Sequence, residues 1–314
     1  VTRLRILSHV GDAETLGIPE DLRDQVEVVR VSKRGPAPEG LTGEVLVSVP
    51  GWSENFDELL GRGVRWVHFT STGVDRVDFE RLPAGLVVTN SRGISAVPIA
   101  EWVLAMLLTA AKQLPERWIH EPPGNWRADP GLATLRGRRL AIIGLGSIGV
   151  AVAERALPFG MDVRALRRSG GPSPVAGVTM AGSLAEVLDG ADDVVLTLPL
   201  TPATHHLIDA SALGQMRPGV HLINVARGEL VDQDALRAAL DDGTVGLASL
   251  DVVDPEPLPA KHWLFTHPRV RLSAHDSWSW PESYGLMFER LSLNLRAYLA
   301  GEPLPDRVDA DLGY

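Results

Sequence analysis

Arg227, Asp251, Glu256 and His275 are the residues of this 314-residue chain best equipped for chemistry. Each stands just beyond a short apolar run. Arg227 follows Val220 to Val225, and Asp251 follows Val245 to Leu250 and leads into Asp254-Pro255-Glu256-Pro257. His275 follows Val270 to Ala274. A guanidinium fork grips a carboxylate through two charge-assisted hydrogen bonds. An imidazole passes a proton to or from an oxygen near neutral pH. A carboxylate bonded to that imidazole fixes its tautomer and favours its protonated form. Taken singly, each has a plainer account: Arg227 as a solvated loop charge, Glu256 as an acid at a helix entry, His275 as a satisfied half-buried histidine. Their recurrence at successive strand ends argues for the site.

A second signal lies earlier. Ala141-Ile142-Ile143 runs into Gly144-Leu145-Gly146-Ser147-Ile148-Gly149, a buried strand, a glycine-rich turn and a helix start. Such glycines make the tight turn and let a pyrophosphate approach the backbone at the positive end of a helix. The motif alone is weak evidence. In open α/β sheets, however, ligands sit beyond the carboxyl ends of the strands. The arginine, the two acids and the histidine are therefore expected to converge on the crevice that holds a dinucleotide. That set suits hydride transfer on a small 2-keto acid. The guanidinium holds the carboxylate, and the imidazole protonates the carbonyl oxygen as hydride reaches the carbon.

The next strand, Asp162 to Leu166, decides between the two nicotinamide dinucleotides. An acid about 20 residues beyond the glycines normally holds the ribose 2′-hydroxyl. Here the strand ends in Arg167-Arg168-Ser169. Two guanidiniums and a hydroxyl suit a 2′-phosphate, and the missing acid removes a repulsion against it. NADP(H) is expected, with NAD the alternative; the plainer account is a solvated basic turn.

Two series of strands and helices must position these groups. The first has apolar or β-branched runs at Leu4 to Leu7, Val26 to Val31, Val45 to Val49, Val64 to Phe69 and Leu86 to Thr89. A long apolar helix is expected at Ile99 to Lys112, introduced by Pro98. The second series places strands at Leu140 to Ile143, Asp162 to Leu166, Val194 to Leu198, Val220 to Val225, Val245 to Leu250 and Val270 to Ala274. Helices fit Ile148 to Leu157, Leu184 to Leu188, Ala210 to Met216, Gln233 to Leu240 and Tyr284 to Leu299. Alternation of this kind implies parallel sheets covered on both faces.

Bulk properties exclude several classes. A net charge of −10 argues against binding a nucleic-acid backbone. The absence of cysteine rules out disulfides, thiolate metal sites and cysteine nucleophiles. The longest apolar stretch, Val103 to Ala111, falls short of the roughly 20 residues of a membrane span. No basic-then-apolar leader is visible, so a cytoplasmic protein without a membrane partner is expected. His205-His206 and the pair His262 and His267 lack zinc-ligand spacing, and no metal is expected. Asp232 and Asp234 are expected to open a helix.

The motifs also carry a resemblance. Ser71-Thr72-Gly73-Val74-Asp75, Gly124-Asn125-Trp126, Leu135-Arg136-Gly137, Leu198-Pro199-Leu200-Thr201, Val225-Ala226-Arg227-Gly228 and Leu250-Asp251-Val252, then Glu256-Pro257 and His267-Pro268 leading to His275, stand in order. With them the chain resembles the D-isomer-specific 2-hydroxyacid dehydrogenase family, in particular its glyoxylate and hydroxypyruvate reductases. The resemblance implies an α/β protein in which a Rossmann dinucleotide-binding domain is inserted into a smaller flavodoxin-like parallel-sheet domain. Residues 1–96 and 284–314 would form the substrate domain and 97–283 the inserted one. A homodimer is also implied.

By the same resemblance Arg227 binds the substrate carboxylate and carbonyl, Glu256 pairs with His275, and His275 is the general acid and base. Thr72 and Gly73 offer amides to the substrate carboxylate, and Asp251 receives the nicotinamide carboxamide. Gly144, Gly146, Ser147, Ile148 and Gly149 would hold the pyrophosphate, and Arg167, Arg168 and Ser169 the adenosine end. Leu198, Pro199, Thr204, Val225 and Ala226, with Arg227 and His275, complete the expected cofactor surface. Trp52 is expected to line the substrate pocket, while Trp278 and Trp280 either wall the site or pack an interface. One departure stands out. The family usually has Thr-Pro before the histidine, where this chain has Ser273-Ala274, with Asp276 directly after. Other donors of the formate or phosphonate type, and a nucleotide sensor without turnover, are the alternatives.

Overall fold

The computed structural model describes residues 3–51, 53–114, 116–126, 131–310 and 312. The chain divides into two compact units, Val1–Ser95 with Trp280–Tyr314, and Ala96–Ser279. Its change-overs lie at 95/96, where a long helix begins, and at 279/280, just before the last helix.

In the first unit, strands β1 (Leu4–Ser8), β2 (Val26–Arg30), β3 (Val45–Ser48), β4 (Trp66–Phe69) and β5 (Val87–Asn90) form a parallel sheet in the order β2-β1-β3-β4-β5. Strands β3 and β4 are buried along their whole length, which is why they read as largely apolar runs rather than alternating ones, with Ser48 and His68 the buried polar members. Helix α1 (Glu20–Arg23) has only four residues, too few for a periodic signal. Helix α2 (Phe56–Leu60) follows β3.

The second unit opens with α3 (Ala96–Lys112). It starts three residues before the expected Ile99, so Pro98 sits in the first turn, where its missing N–H has no helical partner to lose. Strands β6 (Arg139–Ile143), β7 (Asp162–Leu166), β8 (Thr179–Met180), β9 (Asp193–Leu196), β10 (Val220–Asn224), β11 (Val245–Leu250) and β12 (Val270–Leu272) make a parallel sheet ordered β12-β11-β10-β9-β6-β7-β8. Val103 and Leu107 of α3 pack on one face with Val152 and Ala156 of α4 (Ser147–Ala156). The other face is covered by α5 (Leu184–Leu188), α6 (Ala210–Gly214) and α7 (Gln233–Asp242), through Val187, Leu213, Leu236 and Leu240. Asp232 caps α7, accepting from the amides of Asp234 and Ala235. Strands β9 and β12 end two residues earlier than expected, at Leu196 rather than Leu198 and at Leu272 rather than Ala274. In both cases the chain turns into the site.

Helix α8 (Ser283–Ala300) belongs to the first unit again. Leu291 and Leu295 are fully buried against Leu4, Ile6, Val45 and Trp66, and Tyr298 stacks on Trp66 with ring centroids 5.1 Å apart. Removing such leucines from water contributes roughly 1.5–3 kcal/mol each. Among the described residues no helix is long and apolar enough to cross a membrane.

Candidate active site

Strand β6 lies between β7 and β9, so the sheet order reverses beside it. This is the crevice position for a ligand in a doubly wound sheet. Gly144 has φ +105°, and a Cβ there would come within 2.6 Å of the Leu198 amide nitrogen. A Cβ at Gly149 would meet the Gly144 carbonyl oxygen at 2.2 Å. Those two glycines are demanded by the protein's own packing. Gly146 is different: a Cβ there would meet nothing within 4 Å, so its bareness leaves space for something else. No side chain caps α4, whose N-cap is Gly146, and its first amides remain for a ligand. The turn therefore fits a pyrophosphate, with Ser147 exposed and Ile148 half-buried at its edge. Thr197, which the sequence did not single out, braces the turn by donating its hydroxyl to the Gly144 carbonyl at 2.5 Å.

At the end of β7 no carboxylate follows the strand. Arg167 folds back on its own loop, with Nε donating to Gly170 O at 2.7 Å and Nη2 to Pro172 O at 3.1 Å. Arg168 and Ser169 lie exposed on that turn. Of the expected pair of guanidiniums, Arg167 thus shapes the turn. Beyond β9, Leu198 and Pro199 follow Thr197, and Thr204 donates its hydroxyl to Pro199 O while accepting from the Thr201 amide, both at 2.8 Å. Thr204 organises this loop. Val225 and Ala226 are buried at the end of β10.

Strands β10, β11 and β12 are neighbours, and the polar groups follow their carboxyl ends in that order. Asn224 closes β10. Its Oδ1 accepts from the Ala226 amide at 3.0 Å and its Nδ2 donates to Arg227 O at 2.7 Å, so the buried amide sets the arginine's backbone. Arg227 is half-buried, with Nη1 donating to Ala226 O at 2.6 Å. Gly228, next in line, packs so tightly on the Val253–Asp254 backbone that a Cβ would come within 2.0 Å of the Val253 carbonyl carbon. Gln233 clasps Asp254 from the other side, donating to its carbonyl and accepting from its amide. The arginine loop and the segment leading to Glu256 are locked together.

Glu256 and His275 meet directly. The His275 Nδ1 lies 3.0 and 3.1 Å from the two carboxylate oxygens. The histidine side chain keeps 37% of its surface and the glutamate 29%, so the pair is reachable from outside. His275 has φ +54°, the left-handed region, which costs a non-glycine residue on the order of 1 kcal/mol. Its backbone is held on both sides: the amide donates to Asp251 O at 2.9 Å, and Trp278 Nε1 donates to its carbonyl at 2.8 Å. Trp278 is half-buried against the α3–α4 core, while Trp280 lies in the other unit.

Asp251 is 1% exposed. Its carboxylate accepts from the Ser273 hydroxyl at 2.5 Å, the Asp276 amide at 3.0 Å, the Ser277 amide at 3.2 Å and the Ser277 hydroxyl. Those donors fill the accepting sites of an ionised carboxylate. The expected contact to a nicotinamide carboxamide therefore meets a group already committed to the loop that bears His275.

In the first unit, Ser71 donates to Gly73 O at 2.7 Å and Asn90 Nδ2 to Thr72 O at 2.6 Å. The loop's carbonyls are thus drawn inward, and no described residue accepts from the amides of Thr72 and Gly73. Trp52 lies outside the described residues. Among the described residues no group of three or more metal-ligating side chains gathers.

Residues 104–277 match the model of the D-isomer specific 2-hydroxyacid dehydrogenase NAD binding domain. The chain is 34% identical over 253 residues to a glyoxylate reductase of Korarchaeum cryptofilum, covering 77% of this chain and 75% of that one. It is 35% identical over 238 residues to a hydroxyphenylpyruvate reductase of Plectranthus scutellarioides, covering 74% and 75%. A crystal structure of a D-isomer specific 2-hydroxyacid dehydrogenase from Xanthobacter autotrophicus Py2, in complex with NADPH and MES, superposes over the whole of both chains with TM-score 0.81 at 27% identity. A dinucleotide turn at the sheet's reversal and an acid-paired histidine beyond the last strand of the same sheet agree with these matches, and the chain belongs to the D-isomer specific 2-hydroxyacid dehydrogenase family, enzymes that work on 2-hydroxy acids with a nicotinamide dinucleotide.

Proposed function

We propose that the protein reduces a small 2-keto acid to the D-2-hydroxy acid with NADPH as preferred partner, glyoxylate and hydroxypyruvate being the first candidates. The Glu256–His275 pair, on a segment locked to the Arg227 loop, carries this reading. Arg227 holds the substrate's carboxylate and carbonyl through its planar fork. Glu256 accepts from Nδ1–H, which leaves Nε2 to carry the proton that passes to the carbonyl oxygen. The bound dinucleotide supplies hydride to the carbonyl carbon. In the reverse direction Nε2 takes the proton back. Within the first unit, the amides of Thr72 and Gly73 suit a carboxylate by themselves.

The cofactor choice rests on the end of β7. Arg168 and Ser169 bind the 2′-phosphate, and Arg167 braces the turn that presents them. The NADPH found with the Xanthobacter relative supports this. A second copy of the chain would cover Trp118, Ile119 and Trp126, which stand 61%, 60% and 81% exposed beyond α3, and sedimentation at micromolar protein should then give twice the 33.8 kDa chain mass. Steady-state rates with glyoxylate, hydroxypyruvate and larger 2-keto acids, each with NADPH and NADH, test the main proposal. NADPH should exceed NADH in kcat/KM by about tenfold or more, the value of one charge-assisted contact. Equal or better use of NADH defeats the cofactor assignment. Failure to reduce any 2-keto acid with either defeats the substrate class.

A further inference from the structure

We propose that Asp251, acting through the hydroxyls of Ser273 and Ser277, is the positioning device for His275. The inference rests on His275 being the proton donor described above, and it assigns a role to three residues that the proton transfer itself does not use.

The geometry is specific. Three successive amides, those of His275, Asp276 and Ser277, turn back onto one residue, the first onto the Asp251 carbonyl and the next two onto its carboxylate. Successive N–H groups around a left-handed residue form a concavity that holds an anion. Here the left-handed residue is His275 itself and the anion is the buried side chain at the end of the neighbouring strand. The two hydroxyls close the ring from either side of the turn, Ser273 before it and Ser277 after it. The left-handed φ of +54° costs a histidine on the order of 1 kcal/mol, which the bonds to Asp251 offset. Ser273 also donates its amide to Leu250 O at 3.1 Å, which keeps the hydroxyl in register with β11. Ala274, directly before the histidine, carries no ring to fix its φ, and the serine pair supplies that constraint.

A positioning role differs from a packing role in what it changes. If the clamp loosens, Nε2 strays from the carbonyl oxygen, the proton transfer becomes slower, and substrate and cofactor still bind. Ser273 is half-buried, so its truncation leaves little cavity. The experiment compares Ser273→Ala, Ser277→Ala and the double variant with Ser273→Thr in the full chain. It reads kcat, KM, NADPH affinity by fluorescence, and the solvent deuterium isotope effect on kcat. Loss of hydrogen bonds to a charged acceptor predicts that kcat falls by about tenfold in each single alanine variant and further in the double. The isotope effect should rise, NADPH affinity should stay within about twofold, and Ser273→Thr should restore the rate. Parent-like kcat and isotope effect in Ser273→Ala, or a loss confined to KM, overturns the proposal. His275→Ala, run alongside, separates the two claims: if it too keeps its rate, the proton-donor assignment has failed rather than the clamp alone.

Discussion

Gly228 lies against Val253 with no room for a single extra carbon. The glycine immediately follows Arg227, and Val253 stands three residues before Glu256, so this contact sets the arginine and the glutamate relative to one another. Backbone faces backbone here, and neither side can yield as a flexible side chain would. Gly228→Ala should therefore cost more than the 1–3 kcal/mol usual for overpacking, measured by urea unfolding, and should also lower kcat/KM. A variant as stable and as active as the parent would show that the two loops tolerate separation.

Glu256→Gln keeps the shape of the partner of His275 and removes its charge. A hydrogen bond to a charged group is worth about 1.5–3 kcal/mol, which converts to roughly ten- to a hundredfold in rate. The expectation is a fall of that size in kcat for keto-acid reduction with NADPH affinity preserved, checked by stopped-flow and binding titration. Parent-like turnover would mean that the carboxylate only packs.

Arg168→Ala and Arg167→Ala should behave differently. Losing Arg168 raises the KM for NADPH by about ten- to a hundredfold and leaves NADH unaffected, because only the former carries the 2′-phosphate. Losing Arg167 opens the turn that its Nε and Nη2 hold closed, and so weakens both dinucleotides. Equal losses for NADPH and NADH in Arg168→Ala would contradict the assignment.

A buried histidine in the first unit makes stability depend on pH. His68 is fully buried, and burial pushes its pKa down to about 3, with Asp306 opposing and Arg290 assisting. Thr89 accepts from Trp66 Nε1 at 2.8 Å, and its hydroxyl also lies 2.8 Å from His68 Nδ1. The unfolded chain takes up this proton near pH 6.5, so stability is intact above that pH and declines as pH falls toward 3. The decline is up to about 1.4 kcal/mol per pH unit for one such group. Urea unfolding at pH 7, 6 and 5 should show a steeper fall for the parent than for His68→Gln. Parallel lines would exclude the linkage.

Much of the fold was legible because parallel strands buried on both faces become apolar runs without alternation, as Val45–Val47 and Val194–Leu196 do. The two residues of β8 and the four of α1 are too short to carry a period. In the site, Arg227, Glu256 and His275 could be picked out because each follows such a run. The hydroxyls of Ser273 and Ser277 could not, since a serine has no pattern until the backbone bends it toward an acceptor. That bend depends on a left-handed histidine, and left-handed conformation is announced in sequence only by glycine or asparagine. Arg167 illustrates the same limit. Its type suggested a phosphate ligand, whereas the carbonyls of Gly170 and Pro172 claim it.

The proton-donor role of His275 is tested most directly by single-turnover reduction of glyoxylate with NADPH in His275→Gln, beside an NADPH binding titration. Binding should be unchanged and the rate lower by about 10²–10⁴, the span of general acid catalysis. Reduction at the parent rate would contradict it.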